Sequence, residues 1–139
     1  MVKGTKAVRL FLPKIVFRGK VFSGTGNGRK FVGLPWVKQQ VQEKLGFSPY
    51  AGTLNIRLTE EGKKKKILLE KAKGMVVEPQ AGYCPGILFK ACIGTLECAV
   101  VIPQIPNYPS DVLEIIAPVC LRDHLKLVDG SLVTVLVSV

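Results

Sequence analysis

Six short stretches rich in Val, Ile and Leu, separated by Gly or Pro, constrain this chain more than any other feature. They run near Ile15–Ser23, Thr53–Leu58, Gly86–Ile93, Leu96–Ile102, Val112–Ala117 and Leu132–Val137, and β-branched segments of this length between turn residues form strands. Six strands in a chain of 139 residues predict one domain of the all-β, mainly β class, closed into a barrel that leaves no edge unpaired. One stretch breaks the pattern. Between Leu34 and Leu45, Pro35 suits a first helical turn, Val37, Val41 and Leu45 recur on one face, and Gly46 can end the helix. The expectation is one amphipathic helix packed on the barrel, with a short helix or turn within Val119–Leu127. Residues 1–14 read as an N-terminal arm and 15–139 as the barrel domain.

With 47% hydrophobic residues the chain buries a real core without covalent staples. No uninterrupted apolar run approaches the roughly 18 residues of a membrane span, and Lys3, Lys6, Arg9 and Lys14 leave no apolar leader at the start. The expected protein is soluble and cytoplasmic, a monomer with no membrane partner. Cys84, Cys92, Cys98 and Cys120 lack the paired spacing of a zinc site and lie far from the single His124. They read as reduced thiols, with a Cys92–Cys98 bridge across the Gly94 turn as the alternative. The net charge of +10 raises the question of a polyanionic partner. Its densest part, Lys63 to Lys66 after Glu60-Glu61-Gly62, reads as a solvated turn or flexible loop, and no aromatics interleave with it to stack on bases.

Chemistry has few places to reside. His124 sits in a polar turn, which argues against a Ser-His-Asp or Cys-His hydrolase. There is no P-loop and no βαβ alternation, so the glycine-rich Ser23-Gly24-Thr25-Gly26-Asn27-Gly28-Arg29-Lys30-Phe31 is not a dinucleotide fingerprint. Its alternate glycines still let backbone N–H groups approach an anion, with Arg29 and Lys30 supplying charge. In Gly52-Thr53-Leu54-Asn55-Ile56-Arg57-Leu58, alternation puts Leu54, Ile56 and Leu58 on one face and Thr53, Asn55 and Arg57 on the other. Thr53 and Asn55 then stand about 7 Å apart, and a hydroxyl and an amide oxygen at that spacing can share one hard cation with waters and phosphates. Glu114 is an acid in an otherwise apolar strand, Val112-Leu113-Glu114-Ile115-Ile116. It could bind or deprotonate an alcohol, although alternation alone permits an outward-facing residue equally well. Before it, Pro103-Gln104-Ile105-Pro106-Asn107-Tyr108-Pro109-Ser110 forms a stiff loop of the kind that contacts substrates. Anion donors, a metal pair and an acid are the parts that phosphoryl transfer requires. Trp36, alone at a helix start, reads as core.

Three blocks, GTGNGRKFVGLP at 24–35, GFSPYAGTLNIRL at 46–58 and VLEIIAPVCLRDHLKLVDG at 112–130, together resemble archaeal CTP-dependent riboflavin kinases over nearly the whole chain from Ile15 onward. The resemblance implies a six-stranded cradle-loop barrel (RIFT-type, Greek-key) that phosphorylates riboflavin at the ribityl 5′-hydroxyl with CTP, giving FMN and CDP. It implies nucleotide contacts at Thr25, Gly26, Asn27, Gly28, Arg29 and Lys30, and again at Val119, Cys120, Leu121 and Arg122. One divalent cation, Mg²⁺, would be held by Thr53 and Asn55, and Glu114 would meet the flavin's ribityl side as the catalytic residue. Two positions depart from the family pattern. Asn27 stands where an acid is frequent, and Pro106 replaces a threonine offered to the flavin, leaving Asn107 or Ser110 to take that part. Family members carrying an N-terminal helix-turn-helix domain need more than Met1–Lys14 for it. The rival reading is a non-enzymatic nucleic-acid-binding barrel related to swapped-hairpin transcription regulators, motivated by the charge and the LRDHLKLVDGSLVTV ending.

Overall fold

A computed structural model describes residues 14–139, so the expected N-terminal arm lies, apart from Lys14, outside the described residues. The strands are β1 (Lys14–Phe22), β2 (Leu54–Leu58), β3 (Met75–Val77), β4 (Gly86–Ile93), β5 (Leu96–Pro103), β6 (Val112–Ile116) and β7 (Leu132–Ser138). All pairings are antiparallel. They run β4-β5-β6-β2-β1-β7, and β7 returns onto β4 through Ala91–Val137 and Cys92–Leu136, which closes the six expected strands into a barrel. Closure removes the free edges that an open sheet of this size would present. Strand β3 is an addition that extends the Gly86 end of β4, and at three residues it is too short to show a period in sequence.

Two apolar layers hold the barrel. Inward residues such as Phe17, Ile56, Val100, Leu113, Ile115 and Val135 fill the interior, and Leu69 and Leu121 join them from helices at its ends. The outer face of β4, β5 and β6 carries a second cluster in which Leu88, Ala99, Val101 and Ile116 meet Val32, Val37 and Val41. That outer cluster seats the helices beside the site. The expected helix is present as α2 (Pro35–Leu45), with Pro35 at its start and Gly46 in the left-handed region (φ 80°) at its end. Trp36 is half-buried, edge-on to Phe31 and Tyr83.

Two further helices, in the glycine-rich segment and in the lysine run, go beyond the expected amphipathic helix and the short helix or turn within Val119–Leu127. The glycine-rich segment is loop only as far as Gly26, and from Asn27 to Gly33 it is α1. Lys63–Lys66 is not a flexible loop but the middle of α3 (Glu60–Lys71), capped by Thr59, whose hydroxyl accepts from Gly62 N–H at 3.2 Å. Acids at 60 and 61 suit its N-terminus, and Lys71 its C-terminus. The lysine run is also less of a free patch than its sequence implies. Lys63 pairs with Glu60 and Lys65 with Glu61, while Lys66 is buried. Within Val119–Leu127 only Leu121–His124 is helical, here α4, and His124 is exposed. All four thiols are free, and β4 pairs Cys98 with Ala91 rather than Cys92.

Candidate active site

Alternation left the direction of Glu114 open, and it resolves outward: Leu113 and Ile115 fill the barrel interior, whereas Glu114 lies on the outer face of β6, where Gly28 and Tyr108 cover it to 9% exposure. In the ladder it stands opposite Asn55 on β2 and Val101 on β5, and antiparallel partners point to the same side. Thr53, one residue before β2, donates its hydroxyl to Oε1 of Glu114 at 3.2 Å. Tyr108, from the proline-rich loop, donates to Oε2 in a short hydrogen bond. Both carboxylate oxygens are therefore claimed by hydroxyls. Burial is the main reason the Tyr108 phenol is pushed far up, and the charge and hydrogen bond of Glu114 add to it, so it stays a donor throughout the neutral range.

The glycine-rich segment closes over this group. A Cβ on Gly28 would lie 2.5 Å from both Glu114 Oε1 and Thr53 Oγ1, and one on Gly24 would lie 2.7 Å from Asn55 Nδ2. Only glycine lets the backbone come so near. Gly26 between them has φ 88°, which turns the loop into α1, and no side chain caps that helix. The segment and the Thr53-Asn55-Glu114 group, in contact at Gly24 and Gly28, thus line one cleft of about 660 Å³.

Aromatic rings from Phe22, Tyr50 and Tyr83 line the cleft. At one rim Arg122 donates to Asp129 at 2.7 Å and to Ser23 at 3.3 Å, and Ser23 donates to the same carboxylate at 3.0 Å. The Arg122 hydrogen bond, with that of Ser23, holds the Asp129 carboxyl below its ordinary range. Arg57, on the same strand face as Asn55, pairs with Asp111 at 2.8 Å and lies over the Phe22 ring. A second cavity of about 820 Å³ lies between α3, β4 and the proline-rich loop, and it shares Pro103, Ile105 and Tyr108 with the cleft.

The residues singled out in sequence distribute as follows. Thr25, Gly26, Asn27, Gly28, Arg29, Thr53, Asn55, Glu114 and Arg122 all line the cleft, whereas Lys30 is exposed outside it. Val119, Cys120 and Leu121 do not line it either, and Leu121 is barrel core. Asn107 borders the second cavity with φ 60°, and Ser110 is exposed and borders neither. Tyr108 and Lys66 carry little signal in sequence; that of Tyr108 is its place in a proline-stiffened loop six residues before Glu114. For a hard cation the donor set is suitable: Thr53 directs its proton to Glu114, which leaves hydroxyl lone pairs beside the Asn55 amide and the carboxylate. No cluster of three or more His, Cys, Asp or Glu that could hold a metal occurs among the described residues, so such an ion would take much of its shell from phosphates and water.

Comparison with known proteins adds the family context. The family model CTP-dep_RFKase, described as domain of unknown function DUF120, matches residues 21–137. The chain is 40% identical over 134 residues to a riboflavin kinase of Methanosarcina barkeri, an alignment covering 91% of this chain and 60% of that protein. Against a riboflavin kinase of Archaeoglobus fulgidus it is 42% identical over 125 residues (87% and 54% covered). Against one of Ignicoccus hospitalis it is 39% identical over 140 residues (97% and 78% covered). The chain thus spans little more than half the length of the first two relatives. No helix among the described residues is long and apolar enough to cross a membrane.

Proposed function

Because the chain belongs to the CTP-dependent riboflavin kinase family, we propose that its cleft transfers the γ-phosphate of CTP to the ribityl 5′-hydroxyl of riboflavin, giving FMN and CDP. The observation that carries this reading is the convergence of Gly28, Thr53 and Glu114 on one point, with Asn55 beside them. Phosphoryl transfer asks a protein chiefly for positioning and charge stabilisation, and this arrangement offers both.

The roles follow from chemistry. The Gly24–Gly28 segment and Arg29 line the cleft, and their backbone N–H groups and guanidinium take the nucleotide's phosphates. Arg122 is held at the rim by Asp129 and Ser23, oriented before any ligand arrives. Thr53 and Asn55 would hold Mg²⁺, whose charge offsets that of the phosphates. Glu114 accepts the hydrogen of the ribityl hydroxyl and holds its oxygen toward the γ-phosphorus. In the transfer, that oxygen forms a bond to phosphorus, the bond from γ-phosphorus to the βγ-bridging oxygen breaks, and the hydroxyl proton passes to Glu114 and on to water. The flavin ring extends past Tyr108 into the second cavity, where apolar walls from Ile87, Phe89 and Ile102 suit a planar heterocycle and Asn107 offers an amide. Position 106 has no side-chain donor, so Asn107 takes the polar contact there, and Ser110 lies outside both cavities. Chromatographic detection of FMN after incubating the protein with riboflavin, Mg²⁺ and each of CTP, UTP, ATP and GTP tests the reading. FMN formation greatest with CTP is expected; no FMN with any nucleotide overturns it.

A further inference from the structure

Only two charged side chains are buried among the described residues, Lys66 at 2% exposure and Glu114 at 9%, and Tyr108 touches both. The Lys66 ammonium lies 4.8 Å from the centre of the Tyr108 ring. It donates to the carbonyls of Pro109 at 3.0 Å and Val112 at 2.9 Å, which bracket the chain between Tyr108 and β6. Glu70, Asp111 and Glu114 surround it electrostatically, yet none of them forms an ion pair with it. A buried ammonium is costly, and an apolar side chain of similar volume would serve stability as well. What Lys66 does that an apolar side chain would not is immobilise the segment that delivers Tyr108 to Glu114.

We propose that Tyr108, fixed by Lys66, is a positioning residue for Glu114: it occupies Oε2 and fixes the carboxylate so that the second lone pair of Oε1, which also accepts from Thr53 beside Gly28, meets the acceptor hydroxyl. The inference rests on the phosphotransfer reading and assigns one carboxylate oxygen to each side of the site. Oε1 faces the glycine-rich segment and the phosphates, and Oε2 faces the loop that separates the cleft from the second cavity. Without Tyr108 the carboxylate can rotate, and the hydroxyl is presented to the γ-phosphorus in several orientations rather than one.

The test compares wild type with Tyr108→Phe, which keeps the ring beneath Lys66 and deletes only the donor. In FMN formation from riboflavin and CTP, kcat is expected to fall about 10- to 100-fold, as for a misplacement approaching 1 Å, with KM for CTP within about two-fold. A substrate-free readout accompanies it. With ζ-¹³C-labelled tyrosine, the Tyr108 Cζ resonance of the ligand-free protein is expected to move in Glu114→Gln, because the acceptor on its hydroxyl changes from a carboxylate to an amide. Unchanged kcat in the Phe variant, a loss confined to KM for CTP, or a Tyr108 Cζ resonance indifferent to Glu114→Gln each overturns the positioning role. Wild type that makes no FMN overturns the functional reading and takes the proposal with it, whereas active wild type with a fully active Phe variant overturns the positioning role alone.

Discussion

Gly28→Ala separates stability from activity at the centre of the site. Gly28 lies in the first turn of α1 without a positive φ, so alanine there gains helix propensity of about 0.5–1 kcal/mol. The new methyl, however, would stand 2.5 Å from Glu114 Oε1 and Thr53 Oγ1 and 2.9 Å from Thr53 Cγ2, where ordinary contact begins near 3.4 Å. Neither neighbour gives way readily. Glu114 is held by Tyr108, and Thr53 is held by Glu114. The helix therefore retreats by about 1 Å, a displacement that costs on the order of 10²-fold in a reaction dependent on alignment. The expected variant has a thermal midpoint within a few degrees of wild type and kcat for FMN formation lowered about 100-fold. Gly33→Ala is the control, since a Cβ there meets nothing within 4 Å; it gains the propensity and leaves activity unchanged. Gly28→Ala with wild-type kcat would refute the argument that the glycine-rich segment must seat directly on Thr53 and Glu114.

Glu114→Gln keeps the shape of the side chain while removing its charge and basicity, and steady-state assay should show kcat reduced about 10²- to 10⁴-fold. Thr53→Ala deletes both a candidate metal donor and the hydrogen bond to Oε1, so activity at fixed CTP should fall on the order of 10²-fold and be only partly restored by raising Mg²⁺. At acid pH the Arg122-Asp129-Ser23 clamp should fail. The folded-state value of Asp129 is depressed, so its contribution is present above the unfolded value of about 3.9 and is lost as pH falls through the folded one. Thermal midpoints of wild type and Asp129→Asn, measured against pH, should differ near neutrality and converge as pH falls from about 3.9 through the depressed folded value.

The barrel was legible because its six strands are β-branched runs bounded by turn residues, a signal that survives without any tertiary knowledge. The α3 helix was not, because its inward stripe is Gly62, Lys66 and Leu69, and a lysine at a core position hides the helical period. Thr59 followed by Glu60 and Glu61 was the capping signal that could have found it. Similarly, Asn27–Gly33 carries two glycines and reads as loop, although the packing of Val32 against the outer face of the sheet makes it a helix. The polar face of β2 and the acid of β6 were identifiable as candidates one strand at a time. Their meeting depends on β2–β6 register, in which Asn55 falls opposite Glu114, and register is a tertiary fact. Tyr108 was invisible for the same reason, since its role is set by a loop anchored from α3.

A crystal structure with CDP, FMN and Mg²⁺ bound tests the central claim most directly. The account predicts the CDP phosphates between the Gly24–Gly28 segment and Arg29, a cation on Thr53 and Asn55, and the flavin's ribityl end at Glu114. Phosphates bound elsewhere on the barrel, or a flavin whose ribityl chain does not reach Glu114, would contradict it.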